Sequence, residues 1–182
     1  MKKSELKNIE KNGFQYELDE NDRVIHVEGS LDSITAERNQ YNQRQAGGED
    51  RLLDDHGGHL IGARFGGSSE PFNLVPMNDK LNLRDFKGLE NEWQSEIDLD
   101  NDVKVEFDLS YESDESQRPS AIMIKQIINE GEPEFASFGN IDQTIYDENP
   151  EYDENEAIDY AISNNDIEKK HDIETNECEE SL

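Results

Sequence analysis

The stretch DDHGGHLIGARFGG at residues 54–67 is followed by NLVPMNDKLN at 73–82 and DFKGLENEW at 85–93. Three unusual features converge here: a histidine pair separated by two glycines, an asparagine-rich turn, and carboxylates at helical spacing. His59 to Phe65 is short, partly apolar and closed by Gly66-Gly67, which predicts a strand. From Asn78 the pattern changes. Leu81, Phe86, Leu89, Trp93 and Ile97 recur at spacings of three to five with charges between them, which predicts an amphipathic helix. On that helix Trp93 and Phe86 are read as core side chains.

On the N-terminal side, Phe14, Tyr16 and Leu18 alternate with polar residues. Asp19-Glu20-Asn21-Asp22 then makes a turn, and Val24, Ile25 and Val27 resume, so the segment reads as a β-hairpin. His26 lies in its second arm and is read as structural or exposed. Residues 30–57 hold no steady period and predict a loop-rich passage. On the C-terminal side Val103, Val105, Phe107 and Leu109 alternate strictly with Lys104, Glu106 and Asp108. Ile122, Ile124 and Ile128 keep even spacing beyond the charged turn Tyr111 to Pro119. The sum is an α+β fold, an antiparallel sheet packed on a helix.

Past Gly139 the composition shifts. Residues 140–182 carry 2 Lys plus Arg against 15 Asp plus Glu and repeat Tyr-Asp-Glu-Asn at 146 and 152. Such runs predict a disordered, solvated acidic tail, with restraint of the domain by a nucleic-acid-like fold-back as the sharper alternative. The expected organisation is an N-terminal extension (1–12), a domain (13–139) and this tail.

At 182 residues and a formal charge of −28 the chain has room for one ordinary domain. Its one cysteine, Cys178, cannot form an internal disulfide, so a disulfide-stapled scaffold is excluded and the thiol is read as a bystander. The start, MKKSELKNIEKNG, has the positive charge of a signal peptide without its apolar stretch. No run approaches the roughly 20 apolar residues of a bilayer span. A cytoplasmic protein, or one secreted by a nonclassical route, is expected, with no membrane partner.

Phosphodiester hydrolysis needs a base to deprotonate water, a metal to neutralise phosphate oxygens, and a cation for the transition state. His59, Asn82 with Glu90, and an arginine nearby are residue types that fit. Taken singly they do not decide the matter, because a histidine behind two glycines is first read as structural.

The combination is more specific. The three quoted runs closely resemble the DNA/RNA non-specific endonuclease family, whose fold is the ββα-metal or His-Me finger nuclease. Within it they resemble the nuclease modules at the C-termini of polymorphic and type VII secreted bacterial toxins. The likeness runs from Gly13 to Gly139 and takes in ELDENDRVIHVEG before the motif, and VKVEF and Arg118-Pro119 after it. It implies a metal-dependent, sequence-nonspecific endonuclease acting on DNA or RNA, an Mg²⁺ or Mn²⁺ cofactor, a toxin setting and an immunity protein as partner. His59 takes the place of the water-activating base, Asn82 that of the metal ligand, and Glu90 that of the carboxylate holding a metal-bound water. In an ideal helix eight residues advance about 12 Å and turn about 80° from the starting direction, which suits contact through water.

One departure concerns the arginine. Many family members carry Asp-Arg-Gly-His, whereas His56-Gly57-Gly58-His59 leaves no arginine two residues before the base. The phosphate contact is expected from Arg44 first, then Arg51, then Arg64. His56 stands where a carboxylate is usual, and is read as a tolerated surface change ahead of an auxiliary phosphate or metal contact. Asn73 is read either as orienting the loop after the base or as an ordinary turn residue. The acidic charge opposes nucleic-acid binding, although Arg38, Arg44, Arg51 and Arg64 all fall near the expected cleft. The alternative is an inactive nuclease-like module that binds a partner, for which His59 and Asn82 would be dispensable.

Overall fold

A computed structural model describes residues 6–141. The chain forms β1 (Lys7–Lys11), β2 (Phe14–Leu18), β3 (Val24–Leu31), α1 (Gln40–Gln45), β4 (Asp55–His59), β5 (Leu74–Asn78), α2 (Lys87–Asp98), β6 (Val103–Tyr111), β7 (Pro119–Ile128) and β8 (Glu134–Gly139). Six strands make one antiparallel sheet in the order β1-β2-β3-β6-β7-β8, and β4 pairs with β5 in a separate two-stranded ribbon. The Tyr-Asp-Glu-Asn repeat, Cys178 and the rest of the acidic segment from 142 onwards lie outside the described residues.

The expected hairpin forms as β2 and β3, and the expected alternating strands form as β6 and β7. Along β6 the period of two buries Val103, Val105, Phe107 and Leu109 on one face. Onto that face packs α2, with Trp93 edge-on to Phe107 at 6.1 Å, while Phe86, just ahead of α2, lies 5.6 Å from Phe138 of β8. Trp93 and Phe86 are thus core, and Trp93 is only 2% exposed. His26, Glu28, Glu106 and Asp108 project from the opposite face by the same alternation. The hairpin turn is fixed from outside: the Arg23 side chain donates to Asp19 and to the carbonyls of Ser113 and Ser116, tying β2–β3 to the β6–β7 loop.

The expected strand from His59 to Phe65 is corrected. Strand pairing ends at His59, and Ala63–Phe65 form a 3₁₀ turn closed by Gly66 at φ +81°. Leu60 and Ile61 are both buried although adjacent, so a half-buried alternating strand does not describe them. Lys7–Lys11, ahead of the expected boundary at Gly13, form the edge strand of the sheet, and Asn140, one residue past the expected boundary, is buried.

Asn140, just past the end of β8, ties β5 to β7. Its side chain donates to the carbonyls of Pro76 and Pro119 and accepts from the Asn78 amide. Arg118 donates to both Asp55 oxygens at 2.8 and 2.9 Å and to the Asn140 carbonyl. The Asp55 carboxylate is wholly buried. This pair binds β4 to β7, and hence the ribbon to the large sheet.

Candidate active site

The site is built on β4, β5 and the helix that follows them. The glycines of β4 keep it thin. A Cβ on Gly57 would lie 2.0 Å from the Gln43 carbonyl oxygen of α1, and one on Gly58 would lie 3.1 Å from Asn82 Oδ1. Only glycine at 57 lets α1 seat against the strand. Asn78 ends β5 and starts the helix, its Oδ1 accepting from the Lys80 amide at 3.0 Å. The first turns, Leu81–Phe86, are π-helical and pass into α2. Asn82 sits in that widened stretch, so ideal α-helical spacing does not describe its relation to Glu90. Such π segments recur at functional sites.

His59 ends β4. Its Nε2 is buried with no hydrogen-bond partner among the described residues. Burial and the nearby Arg38 guanidinium hold its pKa down, from 6.5 to about 4. The imidazole is therefore neutral at pH 7 with a ring nitrogen uncommitted to protein, as a general base requires. Because the folded pKa is lowered, the unfolded chain binds this proton first, and this group erodes stability as pH falls from 6.5 towards 4. In a metal-free NMR titration the His59 ring signals are expected to stay at their neutral positions down to about pH 5, one pH unit above that pKa. A midpoint near 6.5 would contradict the buried, cation-flanked setting.

The loop after the base is pinned by Asn73, which is fully buried. Its Oδ1 accepts from the Ile61 amide at 2.9 Å, and its Nδ2 donates to the carbonyls of Ile61 and Ser68. This is the loop-orienting reading, made concrete. Asn73→Ala strands three buried backbone groups and is expected to cost about 2–4 kcal/mol in denaturant unfolding. A loss below about 0.5 kcal/mol would show that the loop holds itself.

Glu90 lies across that loop. Its Oε1 is 2.3 Å from where a Cβ on Gly62 would stand, and its other oxygen is 3.5 Å from Lys87 Nζ and 4.0 Å from Arg64 Nε. A side chain at 62 would displace the carboxylate. Asn82 contacts His56, its Nδ2 lying 3.2 Å from the imidazole Nδ1.

A cleft of about 410 Å³ is lined by Arg38, Gln43, Arg44, His56, Gly57 and Asn82, among others. The three arginines ranked from sequence are placed differently. Arg44 is exposed at the cleft wall. Arg51 also borders the cleft, but its guanidinium donates to the carbonyls of Gln43, Arg44 and Asp55, so it clamps α1 to β4. Arg64 is drawn to Asn91 and the Glu90 carbonyl at α2. Arg38, unranked from sequence, is the second exposed cation of the cleft and the one that bears on His59. Its only sequence signal was its place among four arginines bracketing the motif.

His26, Glu106 and Asp108 also bring ligand-type atoms within 4.8 Å of one another. That cluster is on the outer face of the six-stranded sheet, which separates it from Asn82 and α2. Burial opposes the charged form of His26, but Asp108 at 2.9 Å, with Glu106 and Glu17, outweighs it and raises the pKa. The pair stabilises the fold at low pH and loses that contribution as pH rises through the raised value.

Over residues 3–129 the sequence matches the DNA/RNA non-specific endonucleases. The chain belongs to this family of phosphodiester hydrolases, with β4, β5 and the helix as the ββα unit. Among particular proteins, it is 39% identical over 126 residues to the type VII secretion system protein EssD of Staphylococcus aureus strain USA300, and equally to that of strain NCTC 8325 / PS 47. The alignment covers 64% of this chain and 20% of EssD, so the chain spans about a fifth of the relative. The fold is shared with NucA from Streptococcus agalactiae. The metal-free NucA structure gives a TM-score of 0.59 at 17% identity over 78% of this chain and 72% of that one. The structure with magnesium bound gives 0.54 at 16% identity over 76% and 85%. No helix among the described residues is long and apolar enough to cross a membrane.

Proposed function

We propose that the chain is a metal-dependent, sequence-nonspecific endonuclease cutting DNA, RNA or both, with His59 as the general base that takes a proton from the attacking water. The observation that carries this reading is the buried Nε2 of His59, without a hydrogen-bond partner among the described residues and standing where the family's base is expected. Asn82 Oδ1 and the Glu90 carboxylate are hard oxygen donors, the chemistry that suits partly hydrated Mg²⁺. Asn82 would hold the ion through Oδ1, and Glu90 would act on it through water. When bound, Mg²⁺ neutralises phosphate charge and stabilises the leaving oxygen. Arg44 and Arg38 supply the cationic wall for the phosphate backbone, which an acidic chain otherwise lacks.

The likeness to EssD supports a setting as a nuclease effector of a type VII secretion apparatus. A cell making such an enzyme needs a protein that blocks it. The test is to map the fragment ends made from duplex DNA and from structured RNA in Mg²⁺. Scattered ends without a sequence consensus are expected. Ends confined to one sequence, or intact substrates, would overturn the reading.

A further inference from the structure

His56 has no part in the chemistry above, yet it makes a specific contact. It is half-buried in β4 and borders the cleft. Among the described residues it is the one hydrogen-bond partner of the Asn82 side chain, Nδ1 to Nδ2 at 3.2 Å. An amide nitrogen only donates, so His56 Nδ1 carries the lone pair and Nε2 the proton. An asparagine amide has two ends of nearly equal shape, of which only the oxygen binds a hard cation. With Nδ2 held by His56, Oδ1 is turned towards Gly58, where the missing Cβ leaves room for it.

We infer that His56 is a positioning residue: by accepting from Asn82 Nδ2 it presents the Asn82 oxygen, rather than the nitrogen, to the divalent cation. This rests on Asn82 as the metal ligand. Groups that orient ligands in this way typically change metal affinity about 10–100-fold when removed. The lone pair at Nδ1 is what matters, so any acceptor at 56 serves and an apolar isostere does not.

The experiment is Mn²⁺ binding to the full chain by electron paramagnetic resonance, alongside the Mg²⁺ requirement of cleavage. His56→Leu is expected to weaken Mn²⁺ binding by about 10-fold or more and to raise the half-saturating Mg²⁺ equally, with a smaller change in kcat at saturating Mg²⁺. His56→Asp, an acceptor without a donor, should bind at least as well as the native chain. In an Asn82→Asp background both ends are oxygens, and His56→Leu should then change little. Native Mn²⁺ affinity in a folded His56→Leu chain would overturn the inference. So would an equal loss in the Asn82→Asp background, which would mean that the imidazole meets the ion itself. Undiminished Mn²⁺ binding by Asn82→Ala would instead remove the ligand reading beneath it.

Discussion

His59→Ala is expected to slow Mg²⁺-supported cleavage by about 10²–10⁴-fold, the usual contribution of a positioned general base. The substitution removes the neutral acceptor and breaks no hydrogen bond at Nε2, which has no partner among the described residues. The melting temperature should accordingly stay level or rise, because a buried, unsatisfied nitrogen is gone. This pairing of a large rate loss with intact stability separates a base from a structural histidine, whose loss would appear first in the melt. Single-turnover cleavage of plasmid DNA beside a thermal melt reads both. A rate within a few-fold of the native chain would remove His59 from the chemistry.

Arg118→Ala is expected to cost about 3–5 kcal/mol, since it leaves a buried carboxylate uncompensated. Asp55 would lose both ion-pair hydrogen bonds, and the Asn140 carbonyl would lose its guanidinium donor. Removing both charges in Asp55→Ala/Arg118→Ala should cost less than the two single changes together, because the stranded charge is absent. Urea unfolding of the four chains measures this directly. Since Asp55 precedes His56 in β4, activity in Arg118→Ala should track the folded fraction. Strictly additive losses would mean that the pair is not coupled.

The elements with a clean period were legible in the sequence. Alternation at Phe14 to Leu18 and Val103 to Leu109 marked the strands that carry the core, and Leu81 to Ile97 marked the helix. The family was legible in three short runs. What stayed hidden has no period or depends on distant partners. Lys7–Lys11 are polar enough to read as an extension, yet pair backbone to backbone with β2. The β5 strand is buried along its whole length and contains Pro76, so it neither alternates nor looks like a strand. Asp55 and Arg118 are 63 residues apart, and Asn140 reaches back 64 residues to Pro76, so neither pairing leaves a local trace. Among the arginines, sequence placed four near the cleft, but the carbonyls that occupy Arg51 and Arg64 are known only once the chain is folded. The π-helical turn at Asn82 likewise has no signal in residue spacing that was built on an ideal helix.

This chain is expected to cut nucleic acid, and to do so only with a divalent cation. The most direct test is cleavage of plasmid DNA and structured RNA by chain stripped with EDTA, before and after Mg²⁺ is restored. No cutting by the stripped chain and recovery on adding Mg²⁺ is the predicted result. Cutting that persists in EDTA would contradict the metal dependence. A folded chain that cuts neither substrate in Mg²⁺ or Mn²⁺ would contradict the enzyme and leave a module that binds without cleaving.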